Sequence, residues 1–221
     1  MRYRDRRDAG KRLALALGAY TGRADVTVLA LPRGGVPVAY EVARALRVPL
    51  DVFVVRKLGL PAHPEFAMGA IASGGIVLLD EQLISRIGLP RAAVEQVIAA
   101  ERAELARRER LYRGSRAPLD VRGRAIILVD DGLATGASVQ AAIVALKRLA
   151  PASIVVASPV GARETCRAIS GITDGCLCAA MPEPFYAVGF SYEDFSETTD
   201  SEVRRLLTRA WAPPSPVPQE A

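Results

Sequence analysis

Histidine, cysteine and aromatic residues are scarce in this chain, and each shortage narrows what the protein can do. His63 is the only histidine, and Cys166, Cys176 and Cys178 are the only cysteines among 221 residues. A structural zinc site needs four ligands, usually from these two residue types, so the composition argues against one. The cysteines are odd in number and lie in or beside apolar segments, so we expect reduced thiols in or near the core.

Long apolar runs are also missing. No run approaches the roughly 20 apolar residues that a transmembrane helix needs. Residues 1–7 lack the apolar core of a secretory signal. We therefore expect a soluble cytoplasmic protein with no membrane partner.

The composition has an excess of positive charge. The formal net charge is +5 and the pI is about 9.4, which suits phosphate-rich ligands, RNA or anionic surfaces equally well. Between residues 101 and 110, however, arginines interleave with glutamates, as on the solvated face of a helix. With no aromatic-basic module in view, we do not expect nucleic acid to be a partner.

Short apolar runs alternate with stretches of helical periodicity. Strands are predicted at 26–31, 50–55, 125–129, 153–157 and 175–179, with 76–79 as part of a hairpin. Helices are predicted at 8–20, 37–46, 90–112, 138–149, 162–169 and 201–209. Such alternation is typical of a parallel sheet covered on both faces, so the sequence predicts a doubly wound α/β fold. At this length we expect one main domain, residues 1–211.

Three segments interrupt the alternation. Residues 56–75 contain too many glycines and prolines for a simple turn and predict a flexible loop or hairpin. Residues 181–200 are irregular and rich in aromatic and acidic side chains, which predicts a small cap, or hood, over one edge of the sheet. The proline-rich residues 212–221 predict a frayed tail.

The strongest functional signal lies in residues 126–138, Ile-Ile-Leu-Val-Asp-Asp-Gly-Leu-Ala-Thr-Gly-Ala-Ser. Four apolar residues lead to the carboxyl end of a predicted strand, where open α/β folds bind ligands. The loop of small residues lets backbone N–H groups turn inward, and Thr135 and Ser138 add hydroxyl donors beside a helix N-terminus, which suits a phosphate. Asp130 and Asp131 are suited to accept hydrogen bonds from two vicinal hydroxyls. A sugar phosphate suits both parts of this motif, because its phosphate fits the loop and its hydroxyls fit the acid pair.

Bare spacing leaves a simpler interpretation open. A buried strand followed by Asp-Asp-Gly can be an ordinary turn, with Ser138 as the N-cap of the next helix. The other common phosphate motifs are absent, because the sequence has no Gly-Lys-Ser, no Gly-Lys-Thr and no dinucleotide fingerprint.

Residues 126–138 resemble the signature of the type I phosphoribosyltransferases. The resemblance implies that Asp130 and Asp131 contact the ribose hydroxyls of 5-phosphoribosyl-1-pyrophosphate (PRPP). It also implies a loop that binds the 5-phosphate, formed by Gly132, Leu133, Ala134, Thr135, Gly136, Ala137 and Ser138. A second family element is a glycine loop after the first strand, which takes the pyrophosphate, often through a cis peptide. Arg33, Gly34 and Gly35 match it.

The likeness extends over most of the chain to a group of phosphoribosyltransferases of unassigned substrate. In the family a flexible loop closes over the pyrophosphate, and residues 56–72 occupy the matching place. This assigns Arg56 and Lys57 to the leaving group as catalytic cations, with a solvated basic pair at a strand end as the alternative. His63 and Glu65 could reach the site from the same loop. Dimers are frequent in the family, which favours a homodimer by analogy alone.

The reaction implied by the resemblance is displacement at the anomeric carbon. Magnesium pyrophosphate leaves while a nitrogen nucleophile attacks, through a transition state with oxocarbenium character. Mg²⁺ is expected to bind mainly through PRPP, with Asp130 and Asp131 as possible further ligands.

The sequence narrows the range of acceptors but does not identify one. In transferases acting on 6-oxopurines, an acid usually precedes the Thr-Gly of the loop, and here that position is Ala134. The loss of this acid counts against hypoxanthine and guanine. The acceptor pocket is expected around Phe185, Tyr186 and Phe190, although these rings could equally form the core of the hood.

Two other functions stay compatible with these residues. Some members of the fold are regulators that sense PRPP and bind nucleic acid without catalysis. The intact acid pair and the candidate closing loop with Arg56 and Lys57 weigh against this interpretation. A phosphohydrolase acting on sugar phosphates is the third candidate, and it would release phosphate or pyrophosphate with no acceptor present.

Overall fold

The computed structural model describes residues 2–212. In chain order the elements are α1 (Arg6–Ala16), β1 (Val26–Ala30), α2 (Gly35–Leu46), β2 (Leu50–Val52), β3 (Val55–Leu60), β4 (His63–Ala72), β5 (Ile76–Leu79), α3 (Glu81–Arg86), α4 (Arg91–Arg113), β6 (Ala125–Val129), α5 (Ala137–Arg148), β7 (Ser153–Val160), α6 (Arg163–Ser170), β8 (Gly175–Ala180) and α7 (Asp200–Trp211). Short 3-10 helices lie at Gly18–Tyr20 and Val188–Ser191. Within the described residues, no helix is both long enough and apolar enough to cross a membrane.

The central sheet has five parallel strands in the order β2-β1-β6-β7-β8. Every residue of β6 is buried, because helices cover both faces. Ile127 and Val129 pack in a core cluster with residues of α1, α2, α4 and α7, whereas Ile126 and Leu128 pack in a cluster with residues of α5 and α6. Successive side chains of a strand point to opposite faces, so this division is what a sheet buried on both sides requires. The predicted doubly wound α/β fold is confirmed.

The strand order reverses between β1 and β6. The chain leaves β1 through α2 to β2 on one side, and leaves β6 through α5 to β7 on the other. Loops that diverge from such a switch point leave a crevice at the carboxyl edge of the sheet, and this is where open α/β folds bind ligands. Ala30 is paired with Val129, so the two loops start side by side.

The segment after β2 differs from the sequence prediction. The predicted strand 50–55 is divided, because β2 ends at Val52 and β3 joins a separate antiparallel sheet, β3-β4-β5. Residues 56–72 lie in the β3–β4 hairpin, one of the two forms expected, and residues 73–75 form the turn into β5. The motion of this hairpin stays a prediction. The sequence missed α3, whose six residues are too few for a periodic apolar pattern and which begins with Asp80 capping the Leu83 amide at 2.9 Å. Of the predicted tail, residues 213–221 lie outside the described residues.

The hood contains Tyr3 and Arg4 as well as residues 181–199. The Tyr3 amide donates to the Ser191 carbonyl at 2.8 Å, and the Tyr3 carbonyl accepts from the Glu193 amide at 2.8 Å. Tyr3 and Tyr192 are buried together with Val160 at the end of β7. The first residues therefore belong to the same unit as the predicted hood, which the sequence did not suggest.

The prediction of three reduced thiols was wrong. Cys166 in α6 and Cys178 in β8 form a disulfide, with Cα atoms 6.7 Å apart. Among the described residues, Cys176 is the remaining free thiol, 3.9 Å from the Cys178 sulfur. Counting cysteines along the chain could not show the bridge, because it depends on the packing of α6 against β8.

Candidate functional site

Two glycines let the loops after β1 and β6 come into contact. A Cβ atom at Gly34 would overlap the Asp131 carboxylate, and one at Gly35 would come 2.7 Å from the Val129 carbonyl oxygen. Only glycine fits at both positions. The peptide bond between Pro32 and Arg33 is cis, as the family resemblance implied.

The loop after β6 presents unpaired amides at the start of α5. Gly136 is the N-cap residue and has a φ of 71°, a conformation that glycine adopts without strain. No acceptor within residues 2–212 takes the backbone amides of Ala134, Thr135 or Gly136. The first turn of α5 adds its own free N–H groups. Such amides, at the positive end of a helix dipole, favour an anion.

These groups surround one cavity of about 160 Å³. Its walls are formed by Lys57, Asp130, Gly132, Ala134, Thr135, Gly136, Ala137, Ser138 and Val139. The structure therefore brings Lys57 of the hairpin to the predicted 5-phosphate loop, more than seventy positions further along the chain. Leu133 does not line the cavity. Its side chain is buried, and its amide donates to the Val160 carbonyl at 2.9 Å.

Arg56 does not line this cavity, unlike its neighbour Lys57. Arg56 and Lys57 are neighbours on β3, so their side chains point to opposite faces of the hairpin. The Arg56 guanidinium bonds to Glu101 and lies 4.0 Å from Glu104, both on α4. Arg56 therefore anchors the hairpin to α4.

Arg33 is engaged at the hood. Its guanidinium is paired with Glu197 and lies 3.9 Å from Asp200 at the start of α7. Arg33 does not line the cavity beside the phosphate loop. The sequence predicted it at the pyrophosphate, and in this structure it instead joins the glycine loop to the hood.

The acid pair shares an unusual electrostatic environment. Burial, followed by the neighbouring Asp131 carboxylate, raises the pKa of Asp130 well above its usual range. The Asp131 amide donates to the Asp130 carboxylate at 2.9 Å, which favours the ionised form and opposes that shift. The crevice thus places two acids side by side in a largely desolvated setting.

Sequence reasoning missed Arg6, which contacts Asp131. Its Nε donates to Asp131 Oδ2 at 2.7 Å, and both side chains are largely buried, at 12% and 17% exposure. The guanidinium also donates to the Ser196 carbonyl at 2.6 Å and lies over the Phe195 ring, 4.0 Å from its centroid. No local signal marks this arginine among the basic residues of the N-terminus, because its partner lies 125 positions away.

Tyr192 supports the same acid from the hood. Its hydroxyl donates to the Asp131 carbonyl at 2.6 Å. Burial, and then the Asp131 charge, raise the pKa of Tyr192, so the hydroxyl stays protonated and can donate. The Tyr192 ring stacks on Phe195, with centroids 4.9 Å apart. Backbone and side chain of Asp131 are therefore both held by the hood unit.

The predicted acceptor aromatics divide into two groups. Phe185 is half-buried and packs against the hood core. Tyr186 and Phe190 are 75% and 68% exposed, and their rings lie 5.8 Å apart at an angle of 46°. Exposed rings of this kind can stack on a flat ligand, whereas Phe185 serves the packing.

The hairpin tip carries the two remaining candidates. His63 and Glu65 are both largely exposed, with 3.6 Å between Nδ1 and a carboxylate oxygen. Neither lines the cavity beside the phosphate loop. The structure therefore does not bring them to the site.

The doubly wound sheet, with a glycine loop, an acid pair and an amide cradle at its switch point, has the type I phosphoribosyltransferase fold. The chain belongs to the phosphoribosyl transferase domain family, which matches residues 63–193. It is 43% identical over 206 residues to "Putative phosphoribosyl transferase Rv0571c" of Mycobacterium tuberculosis (strain H37Rv), a match that covers 93% of this chain and 46% of the relative. The chain thus spans about half the length of the curated relatives it matches. The crystal structure of TT1426 from Thermus thermophilus superposes with a TM-score of 0.82 at 42% identity, over 95% of this chain and 99% of that one.

Proposed function

We propose that the protein transfers the phosphoribosyl group of PRPP to a nitrogen acceptor and releases pyrophosphate. The observation that carries this proposal is the cavity shared by Lys57, Asp130 and the unpaired amides around Thr135. The unpaired amides of that cavity suit a phosphate ester, and Asp130 suits a ribose hydroxyl. The family membership supports the same reaction class.

In this proposal each residue has a role that follows from its position in the site. The amides of the loop after β6 hold the 5-phosphate, while Asp130 and Asp131 accept hydrogen bonds from the ribose hydroxyls. Arg6 bonds to Asp131 Oδ2 and leaves Oδ1 for the sugar. Lys57 is the cation of the hairpin that faces the ligand, and it offsets negative charge as pyrophosphate departs.

The acid pair also fits a role beside Mg²⁺. Carboxylate oxygens are ligands that this ion prefers, and it typically binds through one or two of them together with substrate phosphates. When bound, the ion would neutralise charge on the pyrophosphate leaving group. Asp130 is the better placed of the two, because Arg6 already holds one oxygen of Asp131.

The acceptor is proposed to be a nitrogen compound other than a 6-oxopurine. Ala134 lines the cavity where an acid would be needed for general acid or base work on such a purine. Its methyl side chain can neither donate nor accept a proton. The exposed pair Tyr186 and Phe190 offers a stacking surface for a flat acceptor.

A non-catalytic PRPP sensor is the second candidate, and one observation favours it. Of the cations expected around the pyrophosphate, Lys57 lines the cavity, while Arg33 and Arg56 are paired with acids elsewhere. A sensor needs affinity for PRPP without the means to expel the leaving group.

The deciding experiment measures pyrophosphate release from PRPP and Mg²⁺ with a panel of nitrogen acceptors. Acceptor-dependent release is expected, with a loss of about a hundredfold in Asp131→Asn. Asp120→Asn, an exposed acid before the amino end of β6, is the matched control and should keep the full rate. Binding of PRPP without release identifies a sensor, and release that needs no acceptor identifies a phosphohydrolase. No binding of PRPP by calorimetry, with Mg²⁺ present, rules out both the transferase and the sensor.

A further inference from the structure

A cluster of three sulfur atoms lies behind the phosphate loop. The sulfurs of Cys166, Cys176 and Cys178 are within 4.8 Å of one another. Cys166 is buried on α6, whereas its disulfide partner Cys178 on β8 is half-buried. A small thiol or disulfide can therefore approach the bridge from the Cys178 side.

The fold does not need this bridge as a staple. Disulfides compensate for a small hydrophobic core mainly in short domains. Here two core clusters cover both faces of the five-stranded sheet, and α6 buries Ile169 as well as Cys166. A bridge that packing does not require leaves room for another role.

A single residue, Gly161, separates the disulfide from the phosphate loop in space. It packs on Gly161, where a Cβ atom would come 2.5 Å from the Cys166 sulfur and 2.9 Å from the Cys178 sulfur. Gly161 in turn pairs with Leu133 of the loop in an isolated β-bridge. The amide of Ala162 donates to the Leu133 carbonyl at 2.8 Å.

Helix α6 also contacts the loop directly. Thr165, the residue before Cys166, donates its hydroxyl to the Ala134 carbonyl at 2.5 Å. A Cβ at Gly136 would lie 2.7 Å from Thr165 and 3.2 Å from Ile169, so these two side chains form the floor beneath Gly136. The disulfide fixes α6 to β8, and the position of α6 fixes this floor.

We propose that Cys166 and Cys178 are a reversible thiol–disulfide site that regulates how tightly the phosphate loop binds a phosphate ester. Oxidation joins the two sulfurs while a low-molecular-weight disulfide, RSSR, accepts two electrons and both protons and leaves as two RSH. Reduction by two RSH reverses each step. The bridged form holds the loop in the geometry described above. In the reduced form α6 stays packed on the sheet through Ile169 but can shift against β8, so the loop binds the ester more weakly.

Cys176 provides the internal control. Burial raises the pKa of its thiol to about 11, so at neutral pH it stays protonated although it is 3.9 Å from the Cys178 sulfur. Thiolates, not thiols, attack disulfides, so the raised pKa makes Cys176 a slow exchange partner. Replacing it with serine should leave the redox behaviour of the other two unchanged.

The test equilibrates the full-length protein in buffers of varied thiol–disulfide ratio and measures free thiols and PRPP affinity with Mg²⁺. One free thiol is expected in the oxidised form and three in the reduced form. PRPP affinity should fall about tenfold on reduction, within the usual range of coupling between two sites. Cys166→Ser and Cys178→Ser should bind like the reduced protein in every buffer, while Cys176→Ser should respond like the unaltered chain.

Two results overturn the proposal. A thiol count that does not change with the buffer removes the redox site, and equal affinity in both states removes the regulation. The regulatory claim rests on the proposed function, so amide hydrogen exchange of residues 132–138 is measured as well. If PRPP binds in neither state, the proposed function fails, and the redox coupling is then decided by exchange alone. Faster exchange after reduction supports it, and unchanged exchange refutes it.

Discussion

At the scale of single residues, the site is dominated by two adjacent carboxyl groups, Asp130 and Asp131, that lie in different electrostatic surroundings. Asp131 is neutralised by Arg6, through a contact of 2.7 Å between largely buried groups. Asp130 has no such partner among the described residues, and burial with the nearby Asp131 charge raises its pKa. The pair therefore combines one acid held by an arginine with one that takes up a proton more readily than an ordinary carboxyl group, which suits ligands that carry hydroxyl groups and a metal ion.

The raised pKa of Asp130 predicts a pH-dependent stability. Below an ordinary carboxyl pKa of about 4, Asp130 is protonated in the folded and unfolded states, so it contributes no difference. As the pH rises through the higher folded-state pKa, the folded protein alone carries the cost of ionising a buried carboxyl. Asp130→Asn removes this cost and keeps an oxygen for the Asp131 amide.

The variant Asp130→Asn should therefore melt at a higher temperature than the unaltered chain at pH 7.5, by about 2–4 °C for each kcal/mol of ionisation cost removed. The difference should shrink as the pH is lowered to 4. Thermal unfolding at several pH values measures it. Equal melting temperatures at pH 7.5 would show that the ionised carboxyl is not penalised.

Arg6 is predicted to position Asp131. Arg6→Ala leaves a largely buried carboxylate without its partner, which we expect to lower kcat/KM for PRPP about a hundredfold through misplacement. Arg4→Ala is the control, because its side chain is 73% exposed and pairs only weakly with Asp8. Unchanged kinetics in Arg6→Ala would refute the positioning role.

At the scale of elements, strand β3 of the β3–β4 hairpin directs two adjacent cationic side chains to opposite faces. Arg56 faces α4 and binds Glu101, while Lys57 faces the phosphate loop. The sequence grouped the two cations together and could not separate them, because the face that each side chain takes depends on how the hairpin packs. This packing also makes the two residues a matched pair for experiment.

Lys57→Ala and Arg56→Ala are expected to have opposite consequences. Lys57→Ala should reduce pyrophosphate release about a hundredfold, because it removes the cation that we propose to meet the leaving group, and should leave stability within about 0.5 kcal/mol. Arg56→Ala should lower the free energy of unfolding by about 1 kcal/mol and retain turnover. Denaturant unfolding and initial rates on the same preparations distinguish the two, and the reverse pattern would restore Arg56 to the site.

At the scale of the whole molecule, the N-terminus, the hood and the sheet converge on Asp131. Residues 3 and 4 pair with the hood, the next helix delivers Arg6, and Tyr192 bonds to the Asp131 carbonyl. A change in the hood should therefore alter the position of the acid pair, although two strands and two helices separate residues 130–131 from the hood along the chain.

This connection predicts different effects for two buried tyrosines. Tyr192→Phe removes the 2.6 Å hydrogen bond to Asp131, and Tyr3→Phe removes a 2.8 Å hydrogen bond to the Pro159 carbonyl. Each variant should lose about 1 kcal/mol of stability, since each deletes one buried hydrogen bond. Only Tyr192→Phe should also lower kcat/KM for PRPP. Equal kinetics in the two variants would show that the hood does not control the acid pair.

The sequence by itself determined the features that are local along the chain. The five parallel strands, most helices and the loop of residues 126–138 follow from short apolar runs, helical periodicity and a change to small and acidic residues. Each of these depends on neighbours within a few positions. The family resemblance added the glycine loop with its cis peptide, which the structure contains at Pro32 and Arg33.

Only the tertiary structure decided which distant groups meet. The contact between Arg6 and Asp131, the bridge between Cys166 and Cys178, and the placement of Lys57 at the cavity in preference to Arg56 all depend on how finished helices and strands pack. Nothing in the local pattern encodes a distance between residues that are far apart in the chain. Such distances are set when burial of the apolar faces fixes each element against the sheet.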